Sequence, residues 1–203
     1  MKPAPRTTPP DLIAGGFTDP VLDAQGVFRQ VLNAMARPGT LVSLNLSFKG
    51  PGTLSSAMAA LCLTLLDFET PVWSDLDHSD PARAWLRFHC GCPLVAHPGD
   101  GSFVLVTVPD HLPDIKALNP GSEQFPESGA TLIVEAAHLS TDTGRTLKGP
   151  GIKAPRQLAA AGLPALFWRQ RQTLNAGYPL GVDVILTAGR ELCALPRTTL
   201  VEA

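Results

Sequence analysis

A single layered α/β domain of roughly 200 residues is the fold class that the sequence predicts, and three observations predict it. Stretches with helical period and stretches with strand period follow one another at a short pace along the chain. No linker divides the 203 residues into two units. With 44% apolar residues, 17% charged residues and a formal net charge of -2, the composition is that of an ordinary folded protein with a sizeable core.

Asp19 before Pro20 predicts the first helix start, because the carboxylate accepts from free amides and proline loses nothing at the first helical position. Val21, Ala24, Phe28, Val31, Leu32 and Met35 recur at helical spacing, and Arg37-Pro38-Gly39 ends the run. Thr40 to Leu46 alternates like a half-buried strand. A second helix is expected over about 53–66; its apolar run, Ala57 to Leu66, is interrupted by Cys62 and Thr64 and falls short of the roughly 20 residues of a membrane span. Pro71 to Trp73 begins a short strand, and Asp80-Pro81 repeats the helix-start signal. Further strands are expected at Trp85 to His89, Ser102 to Val108, Ala130 to Ala136 and Val182 to Leu186, with a helix at Pro164 to Leu174. Twenty prolines and eighteen glycines supply many turns, and no repeat of fixed period is present.

The near-neutral charge argues against a long nucleic-acid surface. Met1 to Pro10 holds four prolines and no apolar stretch, which speaks against a secretory signal and for a flexible arm over 1–16, with one domain over 17–203. The expected compartment is the cytoplasm, where Cys62, Cys90, Cys92 and Cys193, irregularly spaced, are reduced thiols.

Several constellations invite a chemical reading. Leu147-Lys148-Gly149-Pro150-Gly151-Ile152-Lys153 has glycines that let amides approach an anion and two lysines for charge, against the alternative of a tight structural turn. Gly144 to Gly149 has the spacing of a phosphate-binding loop, but Pro150 stands where that loop needs Lys. His89-Cys90-Gly91-Cys92 with His97 offers metal-capable side chains, yet Cys-x-Cys is not a zinc-knuckle spacing and no second pair completes a tetrahedral site. Asp75, Asp77, His78 and Asp80 lack the glycine and the bidentate Glu of a calcium loop. No Gly-x-Ser-x-Gly elbow occurs, and none of the five lysines stands in a cofactor motif. Arg37 and Arg197, each beside a proline, are placed either to meet a phosphate or partner carboxylate or to form an intrachain ion pair. Phe167, Trp168 and Tyr178 read as core or interface filler.

Longer stretches carry a family resemblance. They are Asn175-Ala176-Gly177-Tyr178-Pro179-Leu180-Gly181-Val182-Asp183, Ala194-Leu195-Pro196-Arg197-Thr198-Thr199 and Leu147 to Ile152. Phe17-Thr18-Asp19-Pro20-Val21, Ala34-Met35-Ala36-Arg37-Pro38-Gly39, Glu69-Thr70-Pro71-Val72-Trp73 and Asn119-Pro120-Gly121 fit with them, from about residue 17 to residue 199. Together they resemble the PhnH subunits of the bacterial carbon-phosphorus lyase system. The resemblance implies a three-layer α/β/α domain with a mixed sheet, like the large domain of pyridoxal-phosphate-dependent transferases without the cofactor site. It also implies a core assembly with PhnG, PhnI and PhnJ, in which PhnI is tied to ribosylation and PhnJ to radical bond cleavage. No catalytic residue, metal or pyridoxal phosphate is expected in this subunit, and a homodimer is expected when it is isolated. Candidates for ligand or partner binding are Arg37, Gly39, Lys148, Gly149, Gly151, Lys153 and Arg197. An alternative reading is a phosphate- or phosphonate-binding enzyme subunit built on Gly149-Pro150-Gly151.

Overall fold

The computed structural model describes residues 13–202. Helix α1 (Pro20–Ala36) starts where Asp19 accepts the amide N–H groups of Val21 and Leu22 at 3.1 and 3.0 Å, and it buries Val27, Val31 and Ala34. Those three positions, four and three residues apart, form one helical stripe. Helix α2 (Ser56–Leu65), capped by Ser55, is buried along Ala57 to Cys62. Helix α3 (Pro81–His89) is capped by Asp80.

The sheet follows from the apolar runs. Strands β2 (Val72–Ser74), β3 (Phe103–Val106), β4 (Thr131–Glu135) and β7 (Asp183–Ala188) are parallel neighbours. The middles of β3, β4 and β7 are fully buried, as expected of strands covered on both faces, while β2 at the sheet edge buries only Val72. Strands β8 (Glu191–Leu195) and β1 (Val42–Ser43) extend the sheet antiparallel beyond β7, giving the order β1-β8-β7-β4-β3-β2. The sheet is therefore mixed.

Side-chain alternation sends the two faces of this sheet into two cores. Leu105, Ile133, Ile185, Leu192 and Ala194 meet α1, α2 and α3. Val104, Val106, Leu132, Val134, Val184, Leu186 and Leu195 meet Phe167 and Trp168 of helix α4 (Ala165–Asn175), together with Leu139, Leu147, Leu158 and Val201. The last four belong to a second, antiparallel sheet, ordered β6 (Arg156–Ala161), β5 (His138–Lys148), β9 (Leu200–Glu202). Three layers result, and the third is one helix plus a three-stranded sheet.

Two sequence expectations need correction. Trp85 to His89 is the second half of α3, not a strand. Ala82, Trp85 and Leu86 lie on the buried stripe of a helix that the Asp80 cap had already announced. The strand expected over Thr40 to Leu46 is reduced to β1, although Leu44 and Leu46 stay buried and Leu44 N–H donates to Arg190 O at 2.9 Å. Of the expected arm, residues 1–12 lie outside the described residues. Its last part is held to α3: Trp85 Nε1 donates to Gly15 O at 3.4 Å, His89 Nε2 to Ala14 O at 3.0 Å, and Ile13 packs on the core.

The buried Cys193 in β8 yields a pH prediction. Burial pushes its thiol up to about 12, while an unfolded chain releases that proton near 8.5. The folded protein thus holds the proton longer, so this stability is complete below about pH 8.5 and is lost as pH rises toward about 12. Burial of Arg171 acts with the opposite sign only above about 10. Thermal unfolding between pH 8 and 10 is therefore expected to show a falling midpoint, with a shallower fall in Cys193→Ala.

Candidate functional site

The residues of the two C-terminal motifs converge at the N-terminal edge of β4 and β7, where Thr131 and Asp183 lie in register. Arg197 is bound to Asp183 four ways: its backbone N–H donates to Oδ1 at 2.7 Å, Nε to Oδ1 and Oδ2 at 3.3 and 3.2 Å, and Nη2 to Oδ2 at 2.7 Å. Its Nη1 donates to the carbonyl of Pro126. Asn175 Nδ2 donates to Arg197 O at 2.6 Å and Thr199 O at 3.3 Å. Gly181 N–H reaches Pro120 O at 2.9 Å, and Asn119 Nδ2 reaches Ser128 O at 3.0 Å. The motifs thus lock four segments of chain around one carboxylate.

Beneath them lies Arg171, 1% exposed, whose Nη2 donates to Leu195 O at 3.2 Å and to Pro196 O. Burial pulls its guanidinium down to about 10; Asp183 opposes that pull and Arg197 adds to it. Asp183 therefore faces two cations at neutral pH. Sequence reasoning noted Asp183 only as part of a motif and missed Arg171. A signal for Arg171 existed, since it falls four residues after Phe167 and three after Trp168, on the apolar stripe of α4.

The Gly-Pro-Gly segment makes a different contact. Ile152 N–H donates to Gly149 O at 3.1 Å, with Pro150 second and Gly151 third at φ +80°, which is a type II turn. This turn abuts the end of α1: a Cβ on Gly151 would stand 2.2 Å from Ala36 O, and one on Gly39 2.6 Å from Leu147 Cδ1. The two glycine turns are thus packed together, and Arg156 Nη1 donates to Thr40 Oγ1 beside them. Lys148 pairs with Glu202 at 2.8 Å on the neighbouring strand. Arg37 and Lys153 are exposed. Of the seven candidates, Arg37, Gly39, Lys148, Gly149, Gly151 and Lys153 are drawn to one neighbourhood, whereas Arg197 turns inward to Asp183.

Ligands of open α/β sheets bind outside the carboxyl ends of the parallel strands. There, Asp75 accepts from Thr107 N–H at 2.8 and 3.0 Å, Thr107 Oγ1 at 3.0 Å and Val108 N–H at 2.9 Å, and His111 Nδ1 lies 3.5 Å away. Glu135 accepts from Thr187 Oγ1 at 2.5 Å and Gly189 N–H at 2.9 Å. Both carboxylates are spent on shaping the strand ends. The other two aspartates of the acidic group are spent locally: Asp77 closes a turn by accepting from Ser79 N–H at 2.8 Å, and Asp80 caps α3, accepting from Ala82 N–H at 2.8 Å and Thr53 Oγ1 at 2.8 Å.

Cys62, Cys90 and Cys92 lie together and buried, with Cys90 Sγ donating to Cys62 O at 3.6 Å. A hydrogen bond between the Cys90 and Cys92 thiols pushes Cys90 up and Cys92 down, so this pair retains one proton as it titrates. Burial pushes Cys62 up. His89 turns away to Ala14, and among the described residues no three His, Cys, Asp or Glu side chains are grouped to hold a metal ion.

Two larger cavities open elsewhere. One of about 490 Å³ lies between α1 and Ser43–Ser47, and one of about 550 Å³ lies between the start of the described chain and α3.

With this geometry established, comparison with known proteins places the chain. The family model for bacterial phosphonate metabolism protein (PhnH) matches residues 15–202. A Rhizobium meliloti (strain 1021) protein named alpha-D-ribose 1-methylphosphonate 5-triphosphate synthase subunit PhnH is 34% identical over 197 residues, covering 97% of this chain and 98% of the relative. A Stutzerimonas stutzeri protein, HtxG, named as a candidate C-P lyase subunit, is 31% identical over 178 residues, covering 86% and 84%. The chain belongs to the PhnH family.

Proposed function

We propose that this PhnH-family chain is an accessory, noncatalytic subunit of a carbon-phosphorus lyase complex. It would serve the conversion of alkylphosphonate and ATP to ribose 1-phosphonate 5-triphosphate and the bond cleavage that follows. The observation that carries the reading is the fate of the polar motif residues and of the two carboxylates at the strand ends. Asp183, Arg197, Asn175, Asp75 and Glu135 all bind the chain's own backbone or one another. A relative named as a synthase subunit supports the setting. In this reading PhnG, PhnI and PhnJ are the partners, the isolated chain is a cytoplasmic homodimer, and neither pyridoxal phosphate nor a metal is held by this subunit.

Exposed Arg37, beside the packed glycine turns, is the motif residue best placed to meet a partner. Arg37→Glu is expected to fold normally and to weaken copurification with the other subunits, because it sets a like charge where a partner carboxylate is expected. The Cys90→Ser, Cys92→Ser double variant is expected to support growth on methylphosphonate with only a modest packing loss. Growth and copurification of both variants, with thermal unfolding as the folding control, test the proposal. A folded Arg37→Glu chain that copurifies fully yet abolishes growth would favour a ligand-binding role instead.

A further inference from the structure

Helix α1 carries two apolar stripes, and the core of this chain uses one of them. Val27, Val31 and Ala34 are buried, whereas Val21, Leu22, Phe28 and Leu32 stand out at 77%, 64%, 44% and 52% exposure. Single apolar residues scattered over a surface need no explanation, but a row of them along one helix marks a contact. Helix propensity does not call for them, since valine and phenylalanine are weaker helix formers than the lysine, glutamate or glutamine that an outer face ordinarily carries.

Val21, Gln25, Phe28 and Leu32 follow one another at spacings of four, three and four residues. That is the alternation of d and a positions in a heptad, the narrow seam on which one helix packs another knobs-into-holes. In an antiparallel pair each a position shares a layer with a d position of the other helix, so Val21 meets Leu32 of a second copy and Gln25 meets Phe28. Both layers are centred between Gly26 and Val27, and a single two-fold axis crossing the helix there generates all four. The charges agree with this direction. Asp19 and Asp23 stand at the N-terminal end of α1, Arg29 in its second half and Arg37 at its C-cap, with no other charged residue between 19 and 37. Antiparallel pairing lays each acidic end along a basic end and opposes the helix dipoles, while parallel pairing sets like against like. The face is its own complement in spacing and in charge, which favours a second copy over a different chain as its occupant.

We propose that α1 is the two-fold contact of a homodimer, with the two helices antiparallel, Val21 of each packed on Leu32 of the other and Gln25 on Phe28. This rests on the reading of the isolated chain as a homodimer and names the face that forms it. Seventeen residues give a helix roughly 25 Å long for the seam.

Two singly substituted full-length chains test the contact. Val21→Cys and Leu32→Cys each put a thiol at an exposed position, and the four native cysteines are buried. Treated with a short bismaleimide, the two chains coexpressed are expected to give a covalent dimer, and either chain by itself none, because equivalent positions across the axis lie eleven residues, roughly 16 Å, apart along the helices. Val21→Glu is expected to keep its circular dichroism, since the side chain is exposed and an acidic residue suits the first turn of a helix. Light scattering over a concentration series is expected to show its dimer weakened about tenfold or more, the factor that roughly 1.4 kcal/mol produces. Cross-linking of either single chain alone overturns the assignment. So does the absence of a cross-link in the coexpressed pair when light scattering shows a dimer, or a folded Val21→Glu chain that dimerises as before, the results expected if residues 1–12 or another subunit cover α1. An unaltered chain with the monomer mass at every concentration overturns the homodimer reading itself, and the contact with it.

Discussion

Asp183→Ala is expected to cost the protein about 3 kcal/mol, the low end of the range for removing one partner of a buried charge pair, because the Asp183 and Arg197 side chains keep 19% and 12% of their exposure. Among the described residues the carboxylate is the only acidic group bonded to Arg197, and it opposes the pull of burial on Arg171, which is 1% exposed. Without it two guanidinium groups face each other with carbonyls alone, and Arg197 loses its hold while still tied to Pro126. In a chain of this size that loss lowers the thermal midpoint by roughly 10 °C. Asp183→Asn keeps the shape and one acceptor but not the charge, so it is expected to fall between the two. Differential scanning calorimetry reads all three. A midpoint within 2 °C or so of the parent for Asp183→Ala would show that the clasp does not hold the fold together.

Gly151→Val is expected to destabilise by about 3 kcal/mol or more, through two additive causes. Its φ of +80° is strained for any branched side chain, and its Cβ would stand 2.2 Å from Ala36 O and 2.9 Å from Pro38 Cδ. Neither α1 nor the following turn can retreat without disturbing Ala34, which is fully buried. Lys153→Ala, two residues on and exposed, is expected to change stability by less than about 0.5 kcal/mol. This pair separates packing from anion binding. Were the turn a phosphate cradle, Lys153→Ala would abolish phosphate binding in calorimetric titration while leaving stability intact; as a packing turn it binds no phosphate before or after.

The elements that sequence revealed were those with strong local signals. Asp19-Pro20 and Asp80-Pro81 both cap helices, and the apolar runs around Val104, Leu132 and Ile185 are buried parallel strands. The second sheet was not legible, for a physical reason. In β5 the buried residues are Leu139 and Leu147, eight apart, with a register shift between Ser140 and Arg145, so no two-residue period survives. β9 is three residues long, and one residue, Val201, carries its burial. The site was half legible. The motifs were visible, but their partners were not: Asp183 and Arg197 are fourteen residues apart, and Arg197 and Pro126 seventy-one, distances at which charge pairing leaves no sequence period. Arg197 therefore read equally well as a ligand contact or an ion pair, and only its four contacts with Asp183 distinguish them.

In the proposed role this chain shapes a complex and performs no chemistry by itself. Phosphorus nuclear magnetic resonance on the purified chain with ATP and methylphosphonate, beside the purified complex with and without it, measures this directly. No ribose-linked phosphonate product is expected from the chain alone, product is expected from the complete complex, and the loss when the chain is withheld is expected to be restored by its readdition. Formation of that product by the chain alone, abolished by substitution of a single side chain that leaves folding intact, would contradict it.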